Sequence, residues 1–334
     1  MTTAPAHEPF TSILAAPIAA YLRLKEALGR RYAAERAILR ALDRFLSDAH
    51  ADLTADTFQA WEASLTRLTS GVRRNWLRVT RNLCLYHHRT CPSAFVPDAA
   101  GFPKPHTPIR PHIFTDAEIA RLVRAAEQLR PTPASPTRRT VFRLAVVLLY
   151  TTGLRRGELL RLTVGDYHTD EQLLLVRESK FHKSRLVPLS ADGGHAIDAA
   201  LLDRRRHGLP VGAESPLIWN RSRAGGRGYT GVGLGEGFRT LCEHAAIQTT
   251  TGGRPRIHDL RHTFAVHALV RWYREGVDPQ AKLPFLAAYM GHVSPISTAY
   301  YLPFVPALAG VASARFLTVA GTLITVPPAQ GDRR

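Results

Sequence analysis

A proline-rich stretch divides the sequence into two parts with different patterns. Residues 91–114, CPSAFVPDAAGFPKPHTPIRPHIF, contain six prolines and few apolar residues at regular spacing. Because proline fixes its own φ angle and lacks a backbone N–H, such a stretch disrupts both helices and the interior of sheets. We therefore predict a linker over 96–113 between two domains, and a length of 334 residues is sufficient for both.

The residues before this linker predict a small helical bundle over 1–95, because apolar side chains recur there at helical spacing. On the last predicted helix, Arg74, Arg78 and Arg81 form a second stripe, rotated away from the apolar one. That stripe is either a solvated face or a surface for DNA phosphates, and both interpretations stay open here. The apolar positions are Leu14, Ile18, Tyr21, Leu24, Leu28, Ile38, Leu42, Phe45, Val72, Trp76, Val79, Leu83 and Tyr86.

Residues 114–316 predict a second domain that is mainly helical with a small β-sheet. The stretch FTDAEIARLV begins a helix with Thr115 or Asp116 as its N-cap, and FRLAVVLLYTTG predicts a buried helix. Two strands are predicted at 172–178 and 185–190, joined by the polar turn SKFHKS.

A glycine-rich stretch, NRSRAGGRGYTGVGLGEG at 220–237, invites a nucleotide-binding interpretation. Its glycines at 231, 233, 235 and 237 fit neither the G-x-G-x-x-G pattern nor the phosphate-binding loop. We interpret it as a flexible basic loop.

The composition indicates a polyanionic partner such as nucleic acid. Lys and Arg number 44 against 27 Asp and Glu, so the formal net charge is +17, and basic residues run through the whole chain. The arginine bias fits either phosphate binding or a GC-rich genome. The lysines are Lys25, Lys104, Lys180, Lys183 and Lys282.

The first thirty residues lack an apolar signal core, and the longest apolar run, LAVVLLY at 144–150, is too short to span a bilayer. The cysteines Cys84, Cys91 and Cys242 make no disulfide framework, which fits a reducing compartment. We therefore expect a cytoplasmic protein.

Two patterns raise the question of a metal site, and neither is favoured. CLYHHRTC at 84–91 offers zinc ligands, but the helical pattern already explains Cys84. His258 and His262 are four residues apart, yet no glutamate stands between them and no third ligand is evident. We expect neither a metal nor another cofactor.

Two segments place cationic side chains where they can bind one anion. TTGLRRGELLRL places Arg155 at a helix start, with Glu158 three residues on and close enough to orient it. IHDLRHTFAVHAL places His258 and Arg261 three residues apart on one helix face.

The predicted turn between the strands holds Lys180 and Lys183, two of the five lysines in the chain. An arginine holds its proton too tightly to act as a general acid, whereas a lysine can donate one. The turn is therefore either a charged hairpin tip or the carrier of a general acid.

In chain order, these segments resemble the tyrosine recombinase family, also called phage integrases. TGLRRGELLRL resembles its first arginine box, SKFHKSRLVPL its lysine hairpin, HDLRHTFA its second box and GHVSPISTAYY its histidine-to-tyrosine segment. The resemblance covers most of 114–305, and the basic helical domain resembles the family's SAM-like core-binding bundle. It implies an α+β catalytic domain after the linker.

The resemblance also implies a role for individual residues. The family's nucleophilic tyrosine stands nine residues after the histidine matched by His292, which selects Tyr301 over Tyr300. The implied catalytic residues are Arg155, Lys180, His258, Arg261, His292 and Tyr301, with Glu158 and Asp259 in support and Lys183 as a further basic position.

The implied function is that of a site-specific DNA recombinase or integrase, acting for a mobile element through a 3′-phosphotyrosyl intermediate without metal or ATP. Its implied partners are double-stranded DNA, a tetramer of the chain itself, and accessory recombinases or directionality factors. The tail at 317–334 either packs on its own domain or docks on a neighbouring protomer. Two alternatives are a type IB-like topoisomerase and a DNA-binding regulator that has lost catalysis.

Overall fold

The computed structural model describes residues 10–30, 32–104, 110–177, 184–222 and 225–291. It divides the chain into two units, Met1–Ile109 and Arg110–Arg334. The boundary lies inside the proline-rich segment 96–113, although Phe102 of that segment is buried in the core of the first unit. The predicted tail at 317–334 lies outside the described residues. No helix in the described part of the chain is long and apolar enough to cross a membrane.

The first unit is a helical bundle, as the apolar spacing predicted. In α1 the buried side chains are Ile18, Tyr21 and Leu22. The apolar face of this helix is therefore rotated slightly from the one that the sequence predicted. Leu24 is 38% exposed, and Leu28, which follows the end of the helix, is 62% exposed. The helices are α1 Ala15–Ala27, α2 Ala33–Ala49, α3 Ala55–Ser64 and α4 Ser70–His88.

The second unit combines helices with two small sheets. Its first helix begins as predicted, because Thr115 accepts a hydrogen bond from the backbone of Glu118 while the Glu118 carboxylate accepts one from the backbone of Thr115. The helices are α5 Asp116–Glu127, α6 Arg138–Thr152, α7 Arg156–Leu159, α8 Ala191–Arg206, α9 Gly231–His244, α10 Asp259–Arg274 and α11 Pro279–Met290. The strands are β1 Tyr167–His168, β2 Leu173–Val176, β3 Arg185–Pro188, β4 Trp219–Ser222 and β5 Gly225–Gly228.

The predicted pair of strands is confirmed. Strands β2 and β3 pair antiparallel, with Leu174 opposite Val187 and Val176 opposite Arg185. A short strand that the sequence did not predict, β1, pairs antiparallel with the other edge of β2. Leu174, Val176 and Val187 are buried in the main core of the unit, so one face of this sheet packs against the helices.

The interpretation of residues 220–237 as a flexible loop is wrong. Strands β4 and β5 pair antiparallel there, and the run of glycines at 231–237 forms the first two turns of α9. Thr230 caps this helix by accepting a hydrogen bond from the backbone of Gly233. Glycine has a low helix propensity, but side chains at helical spacing on one face of α9 are buried, and their packing stabilises the helix. The buried residues of α9 are Leu234, Gly237, Phe238, Leu241 and Cys242.

The glycines of α9 give a test of this packing. A Cβ atom added at Gly237 would overlap the ring of Phe142, whereas one added at Gly235 would meet only the Arg156 side chain, at 3.8 Å. We expect Gly237→Ala to lower the free energy of unfolding by about 1–3 kcal/mol through overpacking. Gly235→Ala should raise it by up to about 1 kcal/mol, because alanine favours the helix. Urea denaturation measures both, and equal effects would contradict the described packing.

Candidate active site

Glu158 joins two arginines at the start of α7. Its carboxylate accepts hydrogen bonds from Arg155 Nη1 at 2.8 Å and from the backbone N of Arg155 at 2.9 Å. On the other side it accepts from Arg185 Nη1 at 3.2 Å and Nη2 at 2.9 Å. Its side chain is 2% exposed, so these partners compensate a charge that burial alone would disfavour. Glu158 is thereby placed in support of Arg155.

Three arginines meet the carbonyl groups at the end of α11. Arg185 Nε donates to Tyr289 O at 2.8 Å, Arg261 Nη2 to Met290 O at 2.9 Å, and Arg155 Nη2 to Gly291 O at 2.8 Å. These carbonyls have no partner within the helix and carry the negative end of its dipole, so they favour cations. The arrangement brings Arg155 and Arg261 together, as predicted, and adds Arg185.

Gly291 ends α11 in a conformation that few other residues adopt. Its φ angle is +67°, and an added Cβ atom would lie 2.7 Å from Arg185 Nη1 and 3.4 Å from Arg155 Nη1. Glycine at this position therefore lets two guanidinium groups approach the backbone. The next residue in the sequence is His292.

Helix α10 fixes Arg261 in the interior. Arg261 is 1% exposed and also donates to the carbonyl of Gly153, at the end of α6. Asp259, 2% exposed, accepts from the backbone N of Arg256 at 2.9 Å and from its Nη2 at 2.9 Å. Asp259 thus stabilises the start of α10, the helix that carries Arg261. Arg155 differs from Arg261 because 28% of its side chain remains exposed.

His258 lies at the N-cap of α10, three residues before Arg261. Partial burial and the charges of Arg261, Arg256 and Arg155 lower the pKa of its imidazole, against the opposing charge of Asp259. A lowered pKa favours the neutral ring, which can accept a proton. The His262 ring packs edge-on against it, with centroids 4.9 Å apart.

The pKa of the Glu158 carboxyl group reflects its two partners. Burial opposes ionisation, but hydrogen bonds from Arg185 and from the backbone of Arg155, together with both positive charges, lower the pKa to about 2. The carboxylate therefore stays charged across the physiological range.

Four of the predicted residues lie outside the described residues: Lys180, Lys183, His292 and Tyr301. Within the described ranges, no group of three or more His, Cys, Asp and Glu side chains could hold a metal ion. Cys84, Cys91 and Cys242 are free thiols.

The predicted arginine stripe on α4 contacts the chain's own backbone at two of its three positions. Arg74 Nη1 donates to Pro103 O at 2.6 Å and Arg81 Nε to Pro97 O at 2.9 Å, so both hold the segment after α4 against the bundle. Arg78 is exposed and donates to the Asn75 side chain at 2.9 Å. Arg78 is therefore the member of the stripe best placed to meet a partner.

Comparison with known proteins places this geometry in a family. The model of the phage integrase family matches residues 112–304. The chain is 32% identical over 301 residues to y4rE, a candidate integrase/recombinase of Sinorhizobium fredii, and the match covers 88% of this chain and 92% of that protein. The chain belongs to the phage integrase family of tyrosine recombinases. Neither comparison favours the topoisomerase alternative.

Solved structures of integrases share the fold. The Tn1549 transposon integrase in complex with transposon right-end DNA has a TM-score of 0.59 and 18% identity, covering 91% of this chain and 98% of that one. A lambda integrase tetramer bound to a Holliday junction has a TM-score of 0.54 and 16% identity, covering 88% of this chain and 83% of that one.

Sequence reasoning missed Arg185, although a signal was present. The alternation of strand β3 puts Arg185 on the same face as buried Val187, and a charged side chain on a buried face requires a partner. The resemblance to the family's lysine hairpin assigns a role to the lysines before the strand and none to the arginine that begins it.

The lowered pKa of Glu158 predicts a pH-dependent contribution to stability. Its carboxyl pKa lies below the unfolded value of about 4.5, so the stabilisation is complete above that pH and is lost as pH falls toward 2. We expect Glu158→Gln to cost on the order of 3 kcal/mol near pH 6 and less than half of that near pH 3, measured by urea denaturation. Glu127→Gln, which breaks a surface pair with Arg143, is the control and should cost less than about 1 kcal/mol. A cost for Glu158→Gln that is independent of pH would contradict the assignment.

Proposed function

We propose that this recombinase cuts and rejoins double-stranded DNA through a 3′-phosphotyrosyl intermediate formed on Tyr301, without metal or ATP. The observation that carries the proposal is the convergence of Arg155 and Arg261 on the end of α11, one residue before His292 in the sequence. Tyr301 follows nine residues later, inside the segment matched by the family model.

The arginines suit a reaction at a phosphodiester. Attack on phosphorus builds negative charge on the non-bridging oxygens, and a fixed cation lowers the barrier because it needs no rearrangement during the reaction. Arg155 offers an exposed edge to those oxygens, and Arg261 supplies a buried charge behind it. His292 would donate a further hydrogen bond. The fixed positive charges would thereby stabilise the phosphate oxygens, as a magnesium ion does in other enzymes that act on phosphodiesters.

The proton transfers fall to the remaining residues. The Tyr301 oxygen attacks phosphorus, and the bond from phosphorus to the 5′ oxygen breaks. The tyrosine proton goes to neutral His258, and Lys180 gives a proton to the departing oxygen, which leaves as a 5′ hydroxyl. Because the phosphotyrosyl ester conserves the bond energy, a second 5′ hydroxyl can displace the tyrosine without ATP. Glu158 holds Arg155 directly, and Asp259, which binds Arg256, would fix the start of the helix that carries Arg261.

The assembly on DNA is proposed from the family. Lambda integrase forms a tetramer on a Holliday junction, and we propose that four copies of this chain likewise pair two DNA sites. The Tn1549 integrase binds transposon end DNA, which supports a role with a mobile element and a location with the nucleoid. Arg78 and Lys183 would contact DNA phosphates, and Arg74 and Arg81 would add the guanidinium nitrogens that their bonds to Pro103 and Pro97 do not use. Accessory recombinases or directionality factors would select the direction of exchange, and the tail at 317–334 would dock on a neighbouring protomer.

The role of Tyr301 as the nucleophile is tested in bacterial cells that express the protein. Rapid denaturation should recover protein covalently attached to DNA, and peptide mass spectrometry should place the DNA on Tyr301. Tyr301→Phe should abolish the adducts, whereas Tyr300→Phe should keep them. Sequencing the attached DNA should return one site. Scattered sequences would indicate a topoisomerase, and an absence of adducts despite DNA binding would indicate a regulator.

The role of Arg78 is tested by the salt dependence of DNA binding. Each phosphate contact releases counterions, so the logarithm of the binding constant falls with the logarithm of salt concentration. We expect Arg78→Gln to reduce that slope by about one unit on a short duplex of arbitrary sequence, and Arg78→Lys to preserve it. An unchanged slope for Arg78→Gln would remove Arg78 from the DNA surface.

A further inference from the structure

Arg185 links three separate elements of the site. It begins β3, and its side chain, 12% exposed, reaches both the Glu158 carboxylate on α7 and the Tyr289 carbonyl near the end of α11. All three of its guanidinium nitrogens donate hydrogen bonds there. A side chain that uses every nitrogen in this way holds its neighbours at fixed positions.

Glu158 needs Arg185 to hold Arg155 in one orientation. Oε1 accepts from Arg155 Nη1 and Arg185 Nη1, while Oε2 accepts from the Arg155 backbone N and Arg185 Nη2. The four acceptor positions of the carboxylate are thus filled by two residues. Among the described residues, the carboxylate without Arg185 would keep only its two bonds from Arg155, and it would be held from one side instead of two.

Arg185 also lies against the residue that precedes His292. A Cβ atom added at Gly291 would lie closer to Arg185 than to Arg155. The Arg185 guanidinium is therefore the group that packs most closely against the backbone of Gly291. The same guanidinium holds the Tyr289 carbonyl. Arg185 therefore sets both the direction of Arg155 and the position at which the chain leaves α11.

We propose that Arg185 is a positioning residue of the cleavage reaction, which aligns Arg155 through Glu158 and holds the end of α11 through the Tyr289 carbonyl. The proposal rests on the proposed function, because it assigns Arg185 a part in the same chemistry. In the described part of the chain, each guanidinium nitrogen of Arg185 already donates to Glu158 or to the Tyr289 carbonyl, so we assign it a role through these neighbours.

If Arg155 and the end of α11 are misplaced, DNA cleavage should slow more than DNA binding weakens. Displacement of a catalytic group by about 1 Å costs on the order of 100-fold in rate. We expect Arg185→Gln to slow formation of the covalent complex by about this factor. Its dissociation constant for the same DNA should remain within about threefold, because the remaining phosphate contacts are unchanged.

The experiment uses the full chain and a nicked duplex that carries the DNA site recovered with the adducts. The nick releases the 5′-hydroxyl fragment, so the covalent complex accumulates and its single-turnover rate can be measured. Binding is measured separately in the Tyr301→Phe background. Arg205→Gln, at an exposed arginine on α8, is the matched control and should leave the rate unchanged.

Two further variants separate positioning from general stability. Arg185→Lys keeps the charge but loses the two-pronged contact, so its rate should fall between those of Arg185→Gln and the unmodified protein. Because Arg185 orients Arg155 through Glu158, the rate loss of the double variant Arg185→Gln with Glu158→Gln should be smaller than the product of the two single losses.

The outcomes distinguish the two proposals. An unmodified protein that forms no adduct overturns the proposed function and, with it, this role of Arg185. Adducts from the unmodified protein with a normal rate for Arg185→Gln, or a normal rate for Arg185→Lys, overturn only the role of Arg185. Additive losses in the double variant also overturn it, because they would show that Arg185 and Glu158 act separately. If Arg185→Gln fails to fold, Arg185→Lys carries the test.

Discussion

The site depends on one buried carboxylate that holds two guanidinium groups close together. Arg155 and Arg185 both approach Gly291 within a few ångströms of an added Cβ atom, and Arg261 shares the carbonyl of Met290 with Arg155. Like charges at such distances repel strongly where water is excluded. Glu158 supplies one full negative charge and the end of α11 about half of one. An excess of roughly one to two positive charges remains, which suits a phosphate.

The ends of packed elements, rather than long loops, supply these groups. Gly153 ends α6, Arg155 precedes α7, Asp259 begins α10, Arg185 begins β3 and Gly291 ends α11. Helix α10 packs on both α6 and α11, and the strand packs its buried face on the same core. Rigid elements fix the geometry of the arginines before any DNA arrives, and preorganised charge is the form of electrostatics that accelerates reactions most.

The sequence predicted the parts of this structure that repeat with a regular period or match a spaced motif. Helices α5 and α6 and the β2–β3 pair followed from apolar periodicity, and the grouping of Arg155 with Arg261 followed from the motifs. The prediction over 220–237 failed because glycine composition outweighed the Leu234, Phe238 and Leu241 spacing, which tertiary packing turned into a helix. The alternation of β3 indicates only that Arg185 needs a partner, and its partners lie 27 and 104 residues away in the sequence, where no local pattern identifies them.

Arginine suits the positions around Glu158 better than lysine would. A lysine removed from water next to other cations readily loses its proton and its charge, whereas arginine remains charged at any physiological pH. Arg185 also needs three directed donors to reach both Glu158 oxygens and the Tyr289 carbonyl, which the planar guanidinium provides from one side chain. A residue whose purpose is to hold a fixed charge should not titrate, while a residue that donates a proton must. This difference explains why arginines form the centre of the site, and it fits the proposal that proton donation falls to Lys180, one of the five lysines in the chain.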